Sequence, residues 1–132
     1  MKNLKLSILF TFLVFFLNTS FTYEQLPENI KNAFKLGNST ELAKYFNSNV
    51  ELGILENEAI YSKSQAELVV KDFFRRNKPS EFTVIQEEFN STPKFAIGRL
   101  ITVDKEQYRV YFSLRKTKGQ LFISQLKIEE ED

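Results

Sequence analysis

The sequence predicts an α+β domain in which a cone-like, curved antiparallel sheet packs against three helices. A change of period and an absence carry that reading. Up to Pro79, apolar residues recur mainly at steps of three and four, the spacing of one helix face. After Pro79 the step is two, through four runs parted by short turn sequences, which marks antiparallel strands. No cysteine occurs among the 132 residues, so core packing has to hold the fold without disulfides.

The first residues stand apart from this domain. Lys2 and Lys5 precede an apolar run over residues 6–17, broken only by Ser7 and Thr11, and small polar residues follow. That is the layout of a secretory signal peptide over residues 1–22, which leaves 23–132 as a single domain. The run is well short of the ~20 residues that span a bilayer, so a cleaved chain keeps no stable membrane span. The expected location is periplasmic or secreted. Losing Lys2 and Lys5 turns the formal charge of +1 into −1. A near-neutral domain has no broad field for nucleic acid or for an anionic membrane.

"LPENIKNAFKLGN" reads as the first helix, with Pro27 in its first turn, Ile30, Ala33 and Phe34 on one face, and Gly37 as its stop. Asn38 and Glu41 then fit a capping box for a short second helix that buries Leu42, Ala43 and Phe46. In "NVELGILENEAIY" the period drops to two, which predicts a strand, a turn at "ENE" and a short return strand. "YSKSQAELVVKDFFRRNKP" is the third helix. Ser62 with Gln65, or Ser64 with Glu67, caps it; Ala66, Val69, Val70, Phe73 and Phe74 form its apolar stripe, and Pro79 stops it. "SEFTVIQEEF", "KFAIGRLITV", "QYRVYFSLR" and "QLFISQLKI" are the four strands, and "EEED" is expected to be a solvated tail.

Following the last three strands by alternation puts Phe95, Ile97, Arg99 and Ile101 on one apolar face with Tyr108, Val110, Phe112, Leu114, Leu121, Ile123 and Gln125. Arg99 interrupts that face, with Tyr108 and Gln125 as its polar company. A guanidinium among apolar residues needs a partner. It either floors a pocket for an anionic or polar ligand, with Tyr108 and Gln125, or pairs with a structural carboxylate such as Glu51. The opposite face collects Leu100, Tyr111, Phe122 and Leu126, flanked by Arg109 and Arg115. An exposed apolar patch of that size marks a partner surface, unless the chain's own termini cover it.

Several chemistries lack their residues. Without histidine or cysteine there is no nitrogen- or sulfur-ligated zinc site and no histidine-dependent nucleophile. No glycine-rich phosphate loop or calcium loop occurs, and "RRNK" is a helix end rather than a nucleic-acid patch. No cofactor is expected.

The order helix, helix, hairpin, helix and four strands resembles the nuclear-transport-factor-2-like, or cystatin-like, cone. "LGNSTELAKYF", "YSKSQAELVVKDFFRRNKPSEF" and "FAIGRLITVDKEQYRVYFSLR" with "ISQLKIEE" resemble a small exported Bacteroidetes family catalogued as domain of unknown function 4783. The resemblance implies an exported cone-shaped domain and brings no catalytic residues. Enzymes of the wider superfamily use an Asp base with a Tyr and an acid, or a His–Asp pair. The second set is absent here, and no carboxylate is predicted opposite Tyr108.

The expected function is therefore that of a non-catalytic binding or interaction module of the cell envelope. Its partners would be a second copy across the outer sheet face, a small ligand or an envelope protein. The alternative is a small-molecule enzyme using a pocket around Arg99 and Tyr108. The leader reading is checked directly: N-terminal sequencing of envelope-fraction protein is expected to find a start near Phe21 or Tyr23, and recovery of Met1 in the membrane pellet would point to an uncleaved anchor.

Overall fold

The computed structural model describes residues 24–132. The proposed leader, residues 1–22, lies outside the described residues. The elements run α1 (Glu28–Leu36), α2 (Ser39–Ala43), β1 (Phe46–Ile54), β2 (Asn57–Ser62), α3 (Lys63–Arg76), β3 (Pro79–Glu88), β4 (Lys94–Thr102), β5 (Gln107–Thr117) and β6 (Gln120–Glu130). Three helices lie on one face of a curved, unclosed sheet of six strands, in the order β2-β1-β6-β5-β4-β3. Residues from Leu26 to Ile128 contribute one continuous core.

The helix ends are where local chemistry puts them. Gly37 takes a left-handed φ of 63° and closes α1, with its N–H and that of Asn38 returning to Phe34 and Ala33. The Asn38 side chain accepts the N–H of Glu41 at the start of α2. Ser62, rather than Ser64, caps α3 by accepting the N–H of Gln65 at 3.3 Å. Phe46 is buried as expected, but it opens β1 instead of closing α2.

The sheet is mixed, not purely antiparallel. β1 runs parallel to β6, with Glu51 beside Gln125 and Ile54 beside Ile128, while all other neighbours are antiparallel. The chain needs α3 and the whole β3–β6 meander to bring its last strand back beside its first.

Two strands differ from the alternation read in sequence. In β4 the pairs Leu100–Tyr108, Gly98–Val110 and Ala96–Phe112 put the even-numbered residues under the helices. Phe95, Ile97, Arg99 and Ile101 therefore face outward. Both faces of β4 are apolar, so hydrophobicity alone does not choose between them. Packing does: the Phe82 ring lies over Gly98, where an added Cβ would come within 2.3 Å of it. The inner face needs its small residues there, and the bulky ones go outside. In β6 the register shifts after Ser113, which pairs with Gln125, to Leu114, which pairs with Ile123. Ser124 is the extra residue of a bulge, and it reverses alternation so that both Ile123 and Leu126 point inward. Leu100 and Leu126 are thus fully buried core residues, not part of an outer patch.

Aromatic rings join the layers. Phe34 of α1 stacks on Phe82 at 4.7 Å and Phe112 at 5.6 Å, and meets Phe74 of α3 edge-on at 6.2 Å. Phe73 packs edge-on against Tyr108 at 5.2 Å. Replacing Phe74 with alanine is expected to cost about 3 kcal/mol, from lost burial and the cavity left behind. Leu68→Ala, on the exposed side of the same helix, is expected to cost under ~0.5 kcal/mol. Urea melts of the two variants check the contrast, and equal losses would contradict this placement of the stripe.

Candidate functional site

The structure separates the residues predicted to share a pocket. Tyr108 points inward among the helices, whereas Arg99, one position away in the register, points outward. Gln125 is also outward, but it sits beside Glu51 and Ser113 at the other end of the strands. The three do not form one site.

Arg99 is held by a residue the sequence reading assigned to a solvated tail. Its Nε and Nη2 donate to the two carboxylate oxygens of Glu131 at 2.9 and 3.0 Å, a fork-to-fork pair. Glu131 N–H donates to Gln107 O, so backbone pairing continues past the end of β6 and brings the carboxylate over β4. The hydrogen bonds and charge of Arg99, with the charge of Arg109, hold the Glu131 carboxyl below its ordinary range, and the same pair raises Arg99. Arg99 and Arg109 are directly opposite across β4 and β5, and Arg109 is opposite Glu129. Like charges facing each other in this way are disfavoured unless acidic neighbours flank them, as Glu131 and Glu129 do here.

Tyr108 belongs to a different cluster. Its hydroxyl lies 2.9 Å from Asn77 Oδ1 and 2.9 Å from Glu106 Oε2, and it donates its single proton to one of them at a time. Asn77 caps α3 by returning its side-chain and backbone N–H groups to Phe73 O. Tyr108 thus ties the end of α3 to the β4–β5 turn. Burial pushes its pKa up to about 12, assisted by the hydrogen bond and charge of Glu106 and by the charge of Glu130.

What remains on the outer face is a surface rather than a pocket. Phe95 and Tyr111 stack with ring centroids 6.1 Å apart, next to half-buried Ile97; half-buried Ile101 lies beyond Arg99 on the same face, and Phe122 lies opposite Arg115. Of the predicted interface set, Tyr111 and Phe122 are on this face. Phe95, Ile97 and Ile101 belong to it as well. They were hidden from the sequence reading by the two-sided hydrophobicity of β4. The Glu131 partner carried a weak signal, an acid just beyond a strand that pairs with an arginine-bearing hairpin. Among the described residues, no three His, Cys, Asp or Glu side chains converge to hold a metal ion, and no helix is long and apolar enough to cross a membrane.

Three helices over a curved, open sheet are the arrangement of the nuclear-transport-factor-2-like, cystatin-like class. A protein of that class from Shewanella baltica, of unknown function, shares the fold with a TM-score of 0.62 at 12% identity, over 80% of this chain and 87% of its own. Over residues 27–129 the chain matches the domain of unknown function DUF4783, and it belongs to that family. A family member from Bacteroides ovatus is 31% identical, covering 83% of this chain and 99% of its own, with a TM-score of 0.77. One from Bacteroides uniformis is 33% identical over 82% and 99%, with a TM-score of 0.76. No curated protein matches the chain.

The Tyr108 cluster has a pH signature. An unfolded chain ionises tyrosine near pH ~10. The folded protein holds Tyr108 neutral to about 12, so stability from this group is intact below the unfolded value and is lost as pH rises from one to the other. Phenolate absorbance is expected to show one tyrosine titrating last, and Tyr108→Phe is expected to remove that step. Its persistence in the variant would assign the step elsewhere.

Proposed function

We propose that this protein is an exported, non-catalytic interaction module of the cell envelope that pairs with a second copy of itself through the outer face of its sheet. The observation that carries this is the half-exposed Phe95–Tyr111 stack, set among Ile97, Ile101 and Phe122 in the middle strands. Half-exposed aromatic and branched side chains interleaved with paired charges in this way are characteristic of association sites. Export itself rests on the sequence of residues 1–22.

Charge favours a second copy as the occupant. The outward positions of β3 include Glu81 and Glu88, and those of β5 include Arg109. A twofold axis along β4 lays β3 of one copy over β5 of the other, and brings Glu81 toward Arg109 twice over. Phe95 and Ile97 then meet their counterparts on the axis, with the Arg99–Glu131 pairs beside them and the strips of β3 and β5 as a rim. The rival reading, an enzyme built on Arg99 and Tyr108, has less support because those residues lie on opposite faces and Arg99 is occupied by Glu131.

Sedimentation equilibrium of residues 23–132 at micromolar concentration tests the proposal. Wild type is expected to be a dimer, and Tyr111→Glu with Phe122→Lys a monomer with an unchanged circular dichroism spectrum. A wild type that stays monomeric throughout would end the self-pairing reading.

A further inference from the structure

The two irregularities of the central strand fall at the same place. Between β1 and β6 the register jumps from Phe46–Ile123 to Glu51–Gln125, and between β6 and β5 it jumps at Ser113 and Leu114. Ladders broken on both sides of one strand leave a hollow instead of a flat pleat. A cleft of about 610 Å³ opens there, walled on one side by the Thr92–Pro93 loop. Its volume is within the ~300–1,000 Å³ common for small-molecule sites.

The lining is polar in a selective way. Ser113 and Gln125 offer hydroxyl and amide groups that both donate and accept, while Ser124, which donates to Ser113 O, offers its oxygen as an acceptor. Lys94, Arg115 and Lys116 bring positive charge, and Glu51 is an acceptor. The chain itself shows what this end of the sheet holds. The Glu24 carboxylate lies 3.1 Å from Lys94 Nζ and 3.0 Å from Lys116 Nζ. Hydrogen bonds from Lys116 and Lys94 keep that carboxyl below its ordinary range. Lys94 also donates to Phe89 O, which fixes its direction. With both lysines engaged by Glu24, Arg115 is the cation left to face a guest, and its planar fork suits a carboxylate.

We propose that this cleft binds a small hydroxylated carboxylate, with Arg115 taking the carboxylate and Ser113, Ser124 and Gln125 taking the hydroxyls. Glu51 argues against a guest with a second negative group, because it accepts hydrogen bonds and repels anions. The guest meets it with hydroxyl donors instead. Pro93 supplies apolar flank for a carbon skeleton.

An amide-resolved NMR titration of residues 23–132 tests it, with D-glucuronate as the probe and D-glucose and inorganic phosphate as controls at matched ionic strength. Because Ser113 and Arg115 lie opposite Phe95 and Phe122 on the outer face, the titration is run on the Tyr111→Glu, Phe122→Lys variant as well as on wild type, which separates failure of the cleft from its coverage by pairing. Glucuronate is expected to shift the Ser113, Ser124 and Gln125 amides saturably at millimolar concentration. Glucose is expected to bind at least about tenfold more weakly, for want of the charged bond to Arg115. Arg115→Ala is expected to weaken glucuronate by a similar factor at an unchanged urea midpoint. No saturable shift at these amides in either protein would overturn the proposal. Equal binding of glucose would remove the carboxylate from it, and equal shifts from phosphate would reduce the cleft to a plain anion site.

Discussion

The fold depends on one ring. Phe34 lies between the helices and the sheet, with Phe82 and Phe112 on the sheet side and Phe74 on the helix side. That cluster leaves no room for a side chain at Gly98, where Phe82 crosses β4. The same strand then has to place its large residues on its other side. The half-exposed Phe95, Ile97 and Ile101 are thus a consequence of how the core is filled, as well as the material of a surface. Core packing and surface character are set by a single steric choice.

The helices were plain in the sequence because each has both periodicity and punctuation. Gly37, Asn38 and Ser62 each perform the capping role their chemistry suits. Strand existence was equally plain after Pro79, but strand facing was not. β5 alternates cleanly between Tyr108, Val110, Phe112 and Leu114 inside and Arg109, Tyr111 and Arg115 outside. β4 has two apolar sides, and nothing local distinguishes them. The bulge at Ser124 inverts the second half of β6, although the spacing of Ile123, Leu126 and Ile128 carries its trace. These two slips moved Leu100 and Leu126 to the wrong side and set Arg99 beside Tyr108. The parallel β1–β6 contact joins distant parts of the chain, and no local pattern encodes it.

Once the facing is corrected, the polar groups make separate sense. Tyr108, Asn77 and Glu106 secure the end of α3 to the sheet. Arg99 and Glu131 secure the last residues of the chain across β4. Glu24 does the same for the first described residues, through Lys94 and Lys116. Both ends of the described residues are therefore tied by ion pairs to the middle strands. With no disulfide available, such ties limit fraying at the places where it ordinarily begins.

The position of β6 bears on how the chain reaches this state. Of the six strands it comes last in sequence, yet it sits between β1 and β5 in the sheet. Until β6 is in place the β1–β2 hairpin has no other strand to lie against. The β3–β5 meander likewise stays open at the edge that β6 will occupy. The chain is thus kept from completing its core early, and the closing contact is one of long sequence separation, which is slow to form. A domain whose sixth strand lies in the middle of its sheet cannot close its core before that strand is in place.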